Sequence, residues 1–284
     1  MKRAPIAVLA LLLPLGLLVG CSRDSSTSDK GGRVEFGVES MQSTDGEFPP
    51  GADKAKLVDE TVTTLTARLT KAGLKDPKVE AGTNGDTVTV STASGSGDDI
   101  TALAGSGGLR IRPVLFDAPA SAENEGLDVE LRQANPETPQ AEMARRAQML
   151  KCGGDDPLLG RDEASALLAT CSADDKTVYS LGPALAADRD VTTAVPGQVD
   201  GKWTVKVGLA PQAQERVSQY TSANNGKSLA YVLDTRVETA AKVDGPSNGE
   251  AAISGNSGFT EAEAKNLATV LVSGPLLVRL VPKS

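Results

Sequence analysis

The sequence contains no histidine, and this absence narrows the chemistry available to the protein. Histidine is the commonest general base, the commonest metal ligand and the middle member of Ser-His-Asp triads, so most hydrolytic mechanisms are excluded. Two acidic pairs, Asp155-Asp156 and Asp174-Asp175, could act as acid and base. Both lie in loop-like sequence and are predicted to be solvated turn residues. We predict no catalytic residue, and the protein is not expected to be an enzyme.

Aromatic residues are scarce, at 3% of the chain, and basic residues are outnumbered by acidic ones. The core must therefore consist mainly of small aliphatic side chains. A formal net charge of -8 opposes direct binding to nucleic acid and to anionic lipid. The glycine-rich segments 94–97 and 105–108 lack the P-loop lysine and the dinucleotide spacing, so both are predicted to be turns. No cofactor and no metal ligand are predicted.

Long hydrophobic runs are also lacking, apart from one near the start of the chain. Residues 6–19 are apolar, follow Lys2 and Arg3, and are interrupted by Pro14. The run is shorter than the roughly 20 residues that a membrane-spanning helix needs. A basic start, a short apolar run and small residues before a cleavage point are typical of a secretory signal. We therefore predict that residues 1–20 are a signal peptide that is removed.

The residues at the end of this run, Leu18-Val19-Gly20-Cys21, match the lipobox of bacterial lipoproteins. The match implies that Cys21 carries a diacylglyceryl group, becomes the new N-terminus and holds the protein on the extracytoplasmic face of the cell membrane. Several acyl chains, such as palmitate, anchor a protein far more firmly than one. The alternative is an ordinary thiol in a signal peptide that is cut elsewhere. The polar residues 21–33 are expected to form a flexible tether.

The other two cysteines, Cys152 and Cys171, are predicted to form a disulfide bond. An extracytoplasmic location permits the bond, and their separation does not fit a redox-active C-x-x-C motif. The closed loop is rich in Gly, Asp and Pro and has little core of its own. We expect a structural staple for this loop, of roughly 3 kcal/mol.

Apolar periodicity predicts short, mixed elements in the first half of the chain. Residues 53–72 have the pattern of one helical face, and Lys78–Ala81 with Thr87–Ser91 read as a hairpin. A weaker helix is expected at 100–104. Residues 109–115 alternate as a strand, although Pro113 favours an edge position or a strand end. The acidic, Pro-rich stretch 117–139 indicates a boundary or an excursion.

The second half repeats this mixture. A helix is predicted from Ala213, Val217 and Tyr220, and a hairpin from the turn Asp234-Thr235. The last helix begins with a capping box, Thr260 and Glu263. The remaining predicted segments are strands at 34–38, 177–181, 191–195, 203–209 and 276–281 and a short helix at 140–150. The fold class is therefore α+β.

Three ordered segments resemble the large extracytoplasmic domain of the protein translocase subunit SecD. They are Tyr-Ser-Leu-Gly-Pro-Ala-Leu at 179–185, Gly-Lys-Ser-Leu-Ala-Tyr-Val-Leu-Asp at 226–234 and Phe-Thr-Glu-Ala-Glu-Ala-Lys-Asn-Leu-Ala at 259–268. Earlier segments, including Leu-Arg-Ile-Arg-Pro-Val-Leu at 109–115, are similar to the base of the same domain. The resemblance implies a small ferredoxin-like base that carries a head subdomain. We assign 34–116 to the base, 117–150 to an irregular connection, and 151–284 to the stapled loop and head.

The resemblance implies a role in protein export, but the proton-driven activity of the family needs transmembrane helices, and none is predicted after the signal. The first hypothesis is a lipid-anchored protein that binds emerging or unfolded exported proteins, with these preproteins or the Sec translocase as partners. The alternative is a repurposed fold that serves as an envelope lipoprotein for an unknown ligand or partner.

Overall fold

The computed structural model describes residues 31–154, 156–247, 251–255 and 258–283. The predicted signal peptide, Cys21 and most of the tether lie outside the described residues, so these assignments stay predictions. Within the described ranges, no helix has the length and apolar character needed to cross a membrane.

The described residues form five α-helices and thirteen β-strands. The helices are α1 (Lys54–Lys71), α2 (Gly97–Leu103), α3 (Gln140–Gln148), α4 (Pro211–Ala223) and α5 (Glu261–Ser273). The strands are β1 (Arg33–Ser40), β2 (Lys78–Ala81), β3 (Thr87–Ser91), β4 (Leu109–Pro119), β5 (Gln133–Ala134), β6 (Leu167–Cys171), β7 (Thr177–Leu181), β8 (Val191–Val199), β9 (Lys202–Leu209), β10 (Ser228–Leu233), β11 (Arg236–Lys242), β12 (Ala251–Ile253) and β13 (Val278–Pro282). The α+β fold class is confirmed.

The first sheet joins the two ends of the described chain. Its order is β13-β1-β3-β2, and Val38 of β1 pairs with Leu280 of β13. The apolar stripe of α1 packs on this sheet, where Phe36 and Leu65 are completely buried. The side chain of Asp53 accepts a hydrogen bond from the backbone N–H of Lys56, which fixes the start of α1. The predicted bounds of this helix and of the β2–β3 hairpin are confirmed.

The second sheet has the order β11-β10-β4-β7-β6-β5, so β4 is a central strand. The expectation that Pro113 lies at an edge or a strand end is wrong. Residues up to Pro113 pair with β10, whereas residues from Val114 onward pair with β7, and the register shifts between Val114 and Phe116. The sheet tolerates the missing N–H of Pro113 because the strand exchanges partners there beside a bulge.

The third sheet has the order β12-β9-β8 and packs against α4 and α5. Val205 and Val207 of β9 belong to the same hydrophobic cluster as Ala213 and Ala264 of the two helices, and all four are buried. The Thr260 and Glu263 capping box at the start of α5 is confirmed. Sequence periodicity missed β5 and β12 because strands of two or three residues are too short to show alternation. It also missed β6, because all five residues of this strand are buried and so do not alternate with polar ones.

The prediction that residues 94–97 form only a turn is wrong for the last of them. Ser96 caps α2 and shares a capping box with Asp99, so the helix begins at Gly97. The division into base, connection and head stays a prediction. In the structure, the last strand pairs within the first sheet, and β4 pairs with β10 of the second half.

Candidate functional site

Strand β8 is a long sheet edge. It pairs with β9 along one side, and within the described residues no strand pairs with its other side. Such an edge presents unpaired backbone N–H and C=O groups, which are a template for another extended chain. The side of β8 away from β9 is therefore the candidate site.

The turn that follows β8 determines which backbone groups face outward. Asp200 and Gly201 both have positive φ, 50° and 75°, as in a two-residue type I′ hairpin. The flanking residues Val199 and Lys202 then form a hydrogen-bonded pair, and hydrogen-bonded and non-bonded pairs alternate from there. Outward groups therefore belong to three alternate residues, which are Ala194, Pro196 and Gln198. Pro196 has no N–H, so its carbonyl alone is available.

One face of this edge borders a cleft of about 500 Å³. Ala194 and Pro196 form one side of the cleft, Ala268 and Val272 of α5 line another, and Leu74 after α1 closes it. The walls at these positions are apolar. The rim carries polar side chains, among them Lys71, Asp99 and Lys265.

The opposite face of the edge is apolar and basic. Val195 and Val199 are 57% and 42% exposed, which is unusual for side chains of this size. Their partners on β9 are Lys206 and Lys202, so the four side chains share one face. Both lysines are exposed, and among the described residues neither makes a salt bridge. Two lysines that make no salt bridge within the described ranges thus lie beside the exposed valines.

A buried arginine joins the elements around the cleft. Arg68 of α1 is fully buried, and its guanidinium donates to the carbonyl oxygens of Leu103, Gly105, Ser106 and Gly274. Burial lowers the pKa of Arg68 to about 10, so the group remains charged at neutral pH. Its donors thereby connect α1 to the ends of α2 and α5.

Arg68 is not among the residues predicted from the sequence to have a functional role. A signal was present, because Arg68 lies on the same helical face as Thr61 and Leu65, where a solvated charge is not expected.

A second cavity, of about 310 Å³, lies on another side of α5. Phe259 and Leu267 form apolar walls, and Asp234, Glu238 and Glu263 supply carboxylates. Burial, aided by the nearby charges of Asp234 and Glu263, raises the pKa of Glu238 to about 7. Asp234 accepts hydrogen bonds from the backbone N–H groups of Gly107 and Gly108. Glu263 accepts one from the backbone N–H of Thr260 at the start of α5.

The residues singled out in the sequence lie apart from the β8 edge. Cys152 and Cys171 are joined by the predicted disulfide, and Cys171 ends β6 in the second sheet. Cys21 and Asp155 lie outside the described residues. The prediction that Asp156 is a solvated turn acid is wrong, because its side chain is 10% exposed and forms an ion pair with Arg132.

The other predicted acidic pair is also engaged. Asp174 accepts a hydrogen bond of 2.6 Å from the hydroxyl of Ser172, and Asp175 forms an ion pair with Arg236. Both acids lie in the turn between β6 and β7, and their side chains are 21% and 41% exposed, so they are partly solvated turn acids that also have partners. A turn acid that meets an arginine from another element cannot be recognised from local sequence.

Comparison with known proteins relates this fold to protein export. Residues 166–278, which include β8, match the family model described as SecDF, P1 head subdomain. The chain is 32% identical over 165 residues to protein translocase subunit SecD of Mycobacterium tuberculosis, which is 57% of this chain and 29% of that protein. It is 38% identical over 90 residues to SecD of Aquifex aeolicus, which is 31% of this chain and 17% of that protein. The chain thus spans less than a third of the length of these relatives.

Solved structures have the same fold. A crystal structure of SecDF in a super-membrane-facing form matches with a TM-score of 0.54 and 23% identity, over 90% of this chain and 30% of that chain. A second structure, of a membrane component SecDF that enhances protein export, matches with a TM-score of 0.51 and 24% identity, over 89% of this chain and 98% of that chain. The resemblance is confirmed in sequence and in fold: the chain is similar to SecD and to the SecDF P1 head subdomain, and it shares the fold of the SecDF structures, a fold related to protein export.

Proposed function

We propose that this protein is a non-enzymatic, lipid-anchored component of the extracytoplasmic membrane face that assists protein export by binding unfolded segments of exported proteins. Cys21 would carry the anchor. The single observation that carries the binding proposal is the open edge of β8, with outward backbone groups at Ala194, Pro196 and Gln198. An extended segment pairs with such an edge through its main chain, which all sequences share. The Sec translocase would supply the segments.

Backbone pairing alone gives a weak complex. The outward groups of the three edge residues provide five hydrogen bonds, two N–H donors and three C=O acceptors, and each contributes about 0.5–1.5 kcal/mol. Ordering five residues of a flexible segment costs about 1–2 kcal/mol per residue. The cost of ordering, about 5–10 kcal/mol, exceeds the gain from the hydrogen bonds, about 2.5–7.5 kcal/mol, so side chains of the segment must add affinity. Burying one aliphatic side chain contributes about 1.5–3 kcal/mol, and the cleft beside Ala194 offers the space. Binding should be reversible, as release of an exported chain requires.

Site-specific photocrosslinking in living cells tests this proposal. A photoreactive amino acid in place of the exposed Val195 should form adducts with several exported proteins during secretion. The same group in place of Lys56, which is exposed on α1 away from β8, is the matched control and should not. Absence of exported chains among the Val195 adducts, with secretion unchanged after gene deletion, would overturn the proposal.

The cavity beside Glu238 favours a second candidate, an envelope lipoprotein that binds a small ligand or another partner. In that case the Val195 probe would give no adducts with exported chains, and a specific small molecule would raise the unfolding temperature of the protein. A Cys21→Ala variant separates anchoring from binding in either case, because it should leave the membrane fraction while its edge remains intact.

A further inference from the structure

We infer that the β8 edge prefers a particular class of segment, one in which apolar residues alternate with acidic residues. This inference rests on the proposed function and deepens it. The apolar side chains would enter the cleft beside Ala194 and Pro196, and the acidic ones would lie on the face that carries Lys202 and Lys206.

Pairing with β8 determines the direction of the side chains of a bound segment. In an antiparallel pair, residues directly opposite each other point to the same face of the sheet. Residues of the segment opposite Ala194 and Pro196 therefore point toward the cleft. There they meet Leu74, Ala268 and Val272. Apolar side chains gain from this contact, whereas a charged one would lose its hydration among these walls.

The face of the hairpin opposite the cleft carries the charges of Lys202 and Lys206. The intervening residues of the segment lie beside Val195 and Val199, one strand away from Lys206 and Lys202. Neighbouring strands are about 4.8 Å apart, so the segment runs about 10 Å from β9. Lysine and glutamate side chains together span that distance across the small valines. Asp200 in the turn is the other charge on this hairpin, so the hairpin itself is net positive.

The two faces together require a particular spacing of apolar and acidic residues in the segment. Both conditions hold together only when apolar and acidic residues alternate with period two, the pattern of an amphipathic strand. A helical segment, with a period near 3.6, places acids in the cleft at some positions. The edge should therefore favour acidic, strand-forming segments over helix-forming ones of equal composition.

Three labelled heptapeptides test the inference by fluorescence anisotropy on the purified full-length chain. The first is Val-Glu-Val-Glu-Val-Glu-Val, the second replaces each Glu by Lys, and the third has the composition of the first in two blocks. The first should bind at least about tenfold more tightly than either of the others, because the second places like charges beside the two lysines and the third places acids against the apolar walls. Its affinity should fall as salt is raised.

Charge reversal assigns the effect to the two lysines. The double variant Lys202→Glu/Lys206→Glu should weaken the first peptide and strengthen the second, and the matched variant Lys56→Glu should change neither. Equal binding of the first two peptides to wild type, or no exchange of preference in the double variant, overturns the inference.

A methylated peptide separates this inference from the proposed function. The first peptide with N-methyl groups on its three central residues cannot pair with a strand edge, and it requires no change in the protein. If the charge variants have no effect but methylation abolishes binding, edge pairing stands and the charge preference fails. If methylation leaves binding unchanged, both fail.

Discussion

The guanidinium of Arg68 in the first helix donates a hydrogen bond of 2.5 Å to the carbonyl oxygen of Gly274, which follows the last helix and lies 206 residues away in sequence. Gly274 has φ 80°, which leaves its carbonyl outside the helical ladder. The buried guanidinium thus holds the ends of α1, α2 and α5 together. The walls of the cleft beside β8 depend on those helices.

Replacing Arg68 by Met should destabilise the protein by about 3–5 kcal/mol, because four buried or partly buried carbonyl groups lose their donor. Urea unfolding followed by circular dichroism measures the loss. Lys56→Met, on the exposed side of the same helix, is the control and should change stability by less than about 0.5 kcal/mol. Similar losses in both variants would contradict a central role for Arg68.

Glu238 should make the stability depend on pH. Its pKa is raised from 4.5 to about 7 in the folded protein, so the folded state holds more protons than the unfolded state between these values. Stability therefore falls as pH rises from 4.5 toward 7. Glu238→Gln has no titrating group at this position. The free energy of unfolding of the variant, relative to that of wild type, should therefore increase by about 1–3 kcal/mol between pH 5 and pH 8. Urea titrations at the two pH values measure it. Glu60→Gln on α1 is the control, and an advantage that does not change with pH would refute the assignment.

Removing the disulfide should lower the stability of the protein. The double variant Cys152→Ser/Cys171→Ser loses a constraint on the unfolded chain and should be less stable by about 3 kcal/mol. Thermal unfolding of this variant and of wild type, with and without dithiothreitol, measures the effect. The reductant should lower the unfolding temperature of wild type and leave the variant unchanged. A variant as stable as oxidised wild type would show that the staple is dispensable.

The hydroxyl of Thr235 should contribute strongly to stability. It accepts from the backbone N–H of Gly160 and donates to the carbonyl of Leu158, both at 2.8 Å. Thr235→Val keeps the β-branched shape and hence the strain of φ 76°, so the change isolates the hydroxyl. We expect a loss of about 2–4 kcal/mol from the two unsatisfied groups. Urea unfolding checks this, with the exposed Thr193→Val as control; an equal effect of both changes would contradict it.

Local features of this fold could be predicted from sequence because their causes are local. Alternation located Lys78–Ala81 and Thr87–Ser91, and the Thr260 and Glu263 capping box located the start of α5. The pairing of Cys152 with Cys171 followed because no other partner remained once Cys21 was assigned to the anchor. The positions of Pro113 and Asp156 were predicted wrongly, since both depend on elements from other parts of the chain.

The sequence by itself determined the α+β class, most helices and strands, and the resemblance to SecD, because periodicity, caps and ordered motifs are properties of neighbouring residues. Only the tertiary structure decided that β8 is an open edge with a cleft on one face and Lys202 and Lys206 on the other. A strand is central or at an edge according to which distant strands pair with it. Long-range packing decides whether a strand is central or at an edge. The alternation within the nine residues of β8 does not indicate which it will be.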